Sequence, residues 1–200
     1  MITQRFNTPS NWKSNPSQKF RLNYMYFGFN SMLKEIGNIF YTGKIRDLKM
    51  IEIGAYMGES TMMIACTGLF KTTYVIEPHK GEEEFNKEME YDWDVVKDEY
   101  IKNTRYFDNI TLISDYSYNV VDRFEDKSID FIYIDANHSY EDVKRDLELY
   151  YPKLKSDGVI GGHDFNDRWP GVKKAVTEVI GIPVQLFEDD SWIYYSKKLI

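Results

Sequence analysis

Met50-Ile51-Glu52-Ile53-Gly54-Ala55-Tyr56-Met57-Gly58-Glu59-Ser60-Thr61 is the segment that decides the fold. Lys49 to Ile53 is a short apolar run and reads as a buried strand. Gly54 lets the chain turn sharply off that strand, and Gly58 lets the backbone approach a ligand closely. Glu59 to Phe70 follows as a helix. A strand, a glycine turn and a helix in this order open a parallel α/β sheet.

Working outward, the same alternation continues. Strands are expected at Thr73–Ile76, Ile110–Ile113, Ile129–Ile134 and Gly158–Gly161. Between them, Glu82–Tyr106 is charged, with Phe85, Met89, Trp93, Val96 and Tyr100 three to four apart, the spacing of one amphipathic helix or two. Tyr118–Phe124, Tyr140–Leu154 and Val172–Ile180 are further helices. The chain then ends differently. Val184–Phe187 and Trp192–Tyr195 are strands joined by the tight turn Glu188-Asp189-Asp190-Ser191, so they must be antiparallel. The expected fold class is α/β and Rossmann-like: a mostly parallel seven-stranded sheet ending in an antiparallel hairpin, with helices on both faces.

Upstream, residues 1–17 are rich in Asn, Ser, Pro and Thr and read as a poorly ordered arm. Phe20 to Phe40 has apolar residues near helical spacing, interrupted by Gly28 and Gly37, which predicts one or two short helices. The division is therefore 1–47 for an arm with short helices and 48–200 for the α/β domain.

Composition narrows the partners. The 200 residues carry a net charge of -7, which argues against a nucleic-acid partner, because phosphate backbones need clustered Lys and Arg. No apolar stretch reaches the ~18 residues of a membrane span. The N-terminus has no signal-peptide apolar region, so a cytoplasmic location is expected. The one cysteine, Cys66, rules out a disulfide within the chain and lies in an apolar run that predicts a core position. A homo-oligomer is compatible with all of this.

In open parallel sheets, ligands bind at the carboxyl ends of strands where the strand order reverses. The glycine spacing here is Gly-x-x-x-Gly, not the Gly-x-Gly-x-x-Gly of pyrophosphate binders. Glu52 adds a negative charge that suits a ligand carrying an ammonium and a sulfonium. Ser60 and Thr61 sit at the helix start, where unpaired amides favour a carboxylate. Glu77 ends the strand Tyr74-Val75-Ile76, where an acid can accept hydrogen bonds from both ribose hydroxyls. Ser114 and Asp115, after the third strand, are placed to reach an adenine, though they also read as an ordinary turn pair. His79 reads as a plain surface histidine.

A second constellation follows. The fourth strand ends Ile134-Asp135-Ala136-Asn137-His138, and the fifth ends Gly161-Gly162-His163-Asp164. Adjacent parallel strands bring Asp135 and Asp164 to one edge, a hard-oxygen site suited to Mg²⁺, Mn²⁺ or Ca²⁺, with His163 or Asn137 adding a ligand. Three histidines and one cysteine give a Zn²⁺ site no thiolate support. A hydroxyl is a poor nucleophile toward a methyl sulfonium until its proton leaves. A cation and a base supply that activation, and His138 is the preferred base.

These residues resemble a known group. Glu52-x-Gly54-x-x-x-Gly58-x-Ser60, Ile134-Asp135-Ala136-Asn137-His138-Ser139-Tyr140 with Asp142 and Asp146, and Gly158-x-x-Gly161-Gly162-His163-Asp164 are similar to class I S-adenosylmethionine-dependent methyltransferases. The similar branch includes macrolide-sugar O-methyltransferases and cephalosporin hydroxylase-like proteins, and the likeness covers roughly residues 48–180. It implies S-adenosylmethionine as cofactor, metal-binding roles for Asp135 and Asp164, and a base role for His138. His163 stands where relatives often carry a third acidic ligand. Trp169-Pro170-Gly171 also fits the branch, with Trp169 walling the acceptor pocket or packing in the core. Tyr24, Tyr26, Phe27 and Phe29 line that pocket, the core or a dimer contact.

The function this implies is O-methylation of a small-molecule or sugar hydroxyl. Two readings compete with it: an NAD- or nucleotide-sugar-linked oxidoreductase on a similar sheet, and a non-catalytic domain that retains the fold.

Overall fold

Ile129–Ile134 is buried at every position, which is what a strand covered on both faces requires. In the computed structural model this strand, β4, lies at the centre of a seven-stranded sheet. The structure describes residues 16–41, 47–80, 92–183 and 185–195, with side chains from Phe27 onward. In chain order the elements are α1 (Pro16–Phe40), β1 (Lys49–Ile53), α2 (Glu59–Cys66), β2 (Thr72–Ile76) and α3 (Trp93–Thr104). They continue with β3 (Ile110–Ile113), α4 (Ser117–Val120), β4 (Ile129–Ile134), α5 (Tyr140–Tyr150) and β5 (Leu154–Gly162). The last three are α6 (Pro170–Val179), β6 (Gln185–Leu186) and β7 (Trp192–Tyr195).

The strand order is β3-β2-β1-β4-β5-β7-β6. The first five strands run parallel, and β7 pairs antiparallel with both β5 and β6. Sequence order reverses between β1 and β4, the place where such sheets bind ligands. Register sets what stands there. Ile53 pairs with Ile76 and Ile134, and Ile134 pairs with Gly162. The residues that follow (Gly54, Glu77, Asp135 and His163) therefore emerge side by side from one edge.

Alternation along the strands builds two cores. Ile51, Ile53, Ile132, Ile134, Ile160 and Trp192 face α5 and α6 through Val143, Leu147, Val172 and Val176. Met50, Phe131, Tyr133, Val159 and Ile193 face α1 and α2 through Phe29, Met32, Leu33, Ile36 and Ile64. Local signals set the helix starts. Asp92 accepts from the amides of Asp94 and Val95, Ser139 accepts from that of Asp142, and Pro170 opens α6.

The N-terminal region differs from expectation. One helix of 25 residues runs through both Gly28 and Gly37. A helical glycine costs about 1 kcal/mol relative to alanine. Burying Phe29, Met32, Leu33, Ile36 and Phe40 contributes about 1.5–3 kcal/mol each, so packing outweighs both glycines. Gly28 serves close approach, because a Cβ there would collide with Asp189. Residues 1–15 of the expected arm lie outside the described residues, and Pro16 and Ser17 already belong to α1. The first part of the amphipathic segment, 82–91, also lies outside the described residues. Cys66 is only partly buried, because α2 ends there instead of running on to Phe70. Among the described residues, no helix is long and apolar enough to cross a membrane.

Candidate active site

The turn after β1 is held by acids from two strands. Glu52 lies fully buried beneath it and accepts hydrogen bonds from the Ser60 hydroxyl and, at 2.5 Å, from the Thr61 hydroxyl. Ser60 and Thr61 thus turn their side chains inward to β1 in the first turn of α2. Burial disfavours the Glu52 carboxylate more than the two hydroxyls stabilise it, and its pKa rises to about 7. Its charge is accordingly weaker at neutral pH than the sequence reading assigned.

Glu77 is also buried, and backbone amides surround it. Oε2 accepts from the amides of Ala55 and Tyr56 at 2.9 Å each, and Oε1 accepts from the amide of His79 at 2.7 Å. A carboxylate offers about four lone-pair directions, so these three amides leave it capacity for roughly one further donor. Ser114 is exposed and Asp115 half-buried in the turn after β3; Asp115 Oδ1 accepts from the Tyr116 amide and from Asn119.

His79 is not a surface residue. It is 5% exposed, its ring packs edge-on against Tyr100 at 5.2 Å, and its Nε2 lies 3.1 Å from the Tyr56 carbonyl. Sequence carries no signal for this burial, because the ring that covers His79 is Tyr100 of α3.

The second half of the site forms where β4 and β5 end. Donor atoms of Asp135, His138 and Asp164 all lie within 4.8 Å of one another. His138 Nε2 is 2.6 Å from Asp164 Oδ2, and the His138 ring stacks on Trp169 with centroids 4.3 Å apart. His163 Nδ1 lies 3.1 Å from the same Asp164 oxygen and 3.9 Å from Asp135. Burial disfavours a charged His163, but Asp135, Asp164 and Asp189 outweigh it and raise its pKa to about 9. The two imidazoles overcome the burial of Asp164 and hold its carboxyl well below the usual range.

Of the two further candidate ligands, Asn137 lines the same cavity as Asp135 and His138, and its Oδ1 accepts from the Ser139 amide. His163 is close but engaged with three acids, and His138 completes the three-residue group instead. Sequence reading placed Asp189 in an ordinary turn. It is 2% exposed, accepts from the Ser191 amide and hydroxyl, and lies 3.8 Å from His163 Nε2. The available signal was an Asp two residues before a Ser, the pattern of a side chain closing its own turn. Phe29 belongs to the core, edge-on to Tyr133, whereas Phe27 is 72% exposed. The side chains of Tyr24 and Tyr26 lie outside the described residues.

The donor chemistry fits a divalent cation, with carboxylates and imidazole nitrogens converging at one strand edge. The sheet has the Rossmann-like order expected, with antiparallel β7 towards its end.

The comparisons agree. A family model described as a methyltransferase domain matches residues 51–165, and the chain belongs to that family. An uncharacterized protein of Acanthamoeba polyphaga mimivirus is 29% identical over 152 residues, covering 72% of this chain and 64% of the relative. An uncharacterized protein of Sinorhizobium fredii is 25% identical over 134 residues, covering 64% of this chain but 14% of the relative. The chain thus spans less than two thirds of either relative. Among solved structures, a Corynebacterium glutamicum protein superposes with a TM-score of 0.57 at 14% identity, covering 92% of this chain and 91% of that one. A TDP-rhamnose 3'-O-methyltransferase of calicheamicin biosynthesis gives 0.55 at 14% identity, covering 96% and 89%. Spermidine synthase from Thermotoga maritima gives 0.55 at 15% identity, covering 84% and 58%. At these identities the likeness establishes the fold.

Proposed function

We propose that this protein transfers the methyl group of S-adenosylmethionine to a hydroxyl of a small molecule or sugar, with help from a divalent cation. The carrying observation is the convergence of Asp135, His138 and Asp164 beside the Glu52–Gly58 turn. The sugar methyltransferase among the structural neighbours makes a sugar hydroxyl the first acceptor to try.

Each side chain has a role in this reading. Glu77 receives a ribose hydroxyl in its remaining acceptor direction. The turn from Gly54 to Gly58 and the start of α2, with Ser60 and Thr61, receive the amino-acid end of the cofactor. Ser114 and Asp115 border the base. Asp135 and Asp164 hold the cation, with His163 beside them. When bound, the cation would stabilise the deprotonated acceptor oxygen. His138, whose Nε2 lies 2.6 Å from Asp164 Oδ2, is the residue that takes the hydroxyl proton. Trp169, stacked on the ring, fixes its plane.

Calorimetry tests the cofactor half: S-adenosylhomocysteine should bind the full chain. Paramagnetic resonance of Mn²⁺ tests the cation half, and Asp135→Asn should weaken binding at least about tenfold, the loss of one charged ligand. Absence of either binding event in the unaltered protein refutes the corresponding half.

A further inference from the structure

Two backbone positions in the cofactor turn region sit in the left-handed conformation without being glycine: Tyr56 at φ 46° and His79 at φ 49°. Bulky residues enter that region rarely, and only where surrounding contacts hold them there. Here the two residues hold each other. The Tyr56 amide donates to Glu77 Oε2, the His79 amide donates to Glu77 Oε1, and the His79 ring reaches the Tyr56 carbonyl through Nε2 at 3.1 Å. Because a carbonyl only accepts, the proton resides on Nε2. The three links close a circuit between the β1 turn and the residues after β2.

The next carbonyl is anchored too. Asn103 of α3 donates from Nδ2 to Met57 O at 2.9 Å. Tyr100, one turn earlier on α3, packs edge-on to His79 and fills the space beside Gly58. Successive carbonyls of the turn are therefore each fixed by a side-chain donor from another element.

We propose that His79 is a positioning residue of the cofactor pocket, latching the Gly54–Gly58 turn into its binding shape through the Tyr56 carbonyl. This rests on the reading of Glu77 as the ribose acceptor. The latch orders the turn, and keeps Glu77 aimed, before the cofactor arrives, so the ordering cost is not charged to binding. Burial, which opposes a positive ring more strongly than Glu77 favours one, lowers the His79 pKa and keeps the ring a neutral, single-proton donor at neutral pH; Lys97 acts in the same direction.

The test uses the full chain with S-adenosylhomocysteine as probe, read by calorimetry and by hydrogen exchange of residues 54–58. His79→Ala should weaken binding about tenfold, the equivalent of one net hydrogen bond, and expose the Tyr56 amide to exchange. His79→Asn favours a left-handed backbone but is too short to reach the carbonyl, so it should behave like alanine. It carries the test if the alanine variant does not fold. His79→Gln places a donor near the Nε2 position and should restore both affinity and protection. Unchanged binding and protection in the Ala or Asn variant would overturn the latch and leave the Glu77 reading intact, and so would a Gln variant as weak as Ala. If the unaltered protein binds no S-adenosylhomocysteine, the pocket reading and the latch fall together.

Discussion

Oδ2 of Asp164 lies 2.6 Å from Nε2 of His138 and 3.1 Å from Nδ1 of His163, so a single carboxylate oxygen orients two imidazoles. The contact orients the His138 ring, the proposed base. His138→Ala should lower methyl transfer to a sugar hydroxyl by about 10²–10⁴, the usual contribution of a positioned general base. S-adenosylhomocysteine affinity should not change, since none of the hydrogen bonds to Glu77 involves His138. Equal losses of turnover and of cofactor affinity would contradict the assigned role.

Glu77→Ala has a different signature. It removes the proposed ribose acceptor and also leaves the amides of Ala55, Tyr56 and His79 without their partner. Cofactor affinity should fall at least about tenfold, and the melting temperature should fall with it. Thermal melts run beside calorimetry will reveal whether the two effects occur together.

Glu52 gives the fold a pH dependence. Burial raises its pKa from 4.5 to about 7, so the folded state binds this proton more tightly than the unfolded chain. The stabilisation is complete below pH 4.5 and disappears as pH rises through about 7. Glu52→Gln, which cannot ionise, should flatten the melting-temperature profile across that window. Parallel profiles for the two proteins would show that Glu52 does not titrate there.

Two glycines of α1 should respond oppositely to alanine. At Gly28 a methyl group would collide with the side chain and backbone of Asp189, so Gly28→Ala should destabilise by about 1–3 kcal/mol. At Gly37 nothing lies within 4 Å, and Gly37→Ala should stabilise by about 0.5–1 kcal/mol. Denaturant titrations of both variants measure the contrast.

Much of the fold is legible in the sequence because its signals are local. Ile129–Ile134 is uninterrupted and apolar but for Asp130, and the Glu188–Ser191 turn is too short for a crossover. Asp135 and Asp164 were legible as neighbours because parallel register carries strand ends to the same edge. The parts not legible depend on contacts between distant segments. The break expected at Gly28 ignored Asp189, 161 residues away in the chain, against which that glycine packs. His79 looked exposed because the burial comes from Tyr100. Which histidine would join the two acids depended on side-chain direction after β4 and β5, and spacing carries no information about that.

The absence of a side chain at Gly54 has a consequence for anyone wishing to alter the protein. The residue sits at φ 83°, and a Cβ there would run into the Asp135 carbonyl and come within 2.7 Å of the Ala136 Cα. The loop proposed to receive the cofactor and the loop that carries Asp135 thus touch backbone to backbone, and glycine is the spacer between them. Their separation is a fixed dimension, not an adjustable one. On the proposed roles, substitution near Trp169 can alter the acceptor, but the methyl donor and Asp135 cannot be moved independently. In the proposed reaction, an acceptor has to fit that interval.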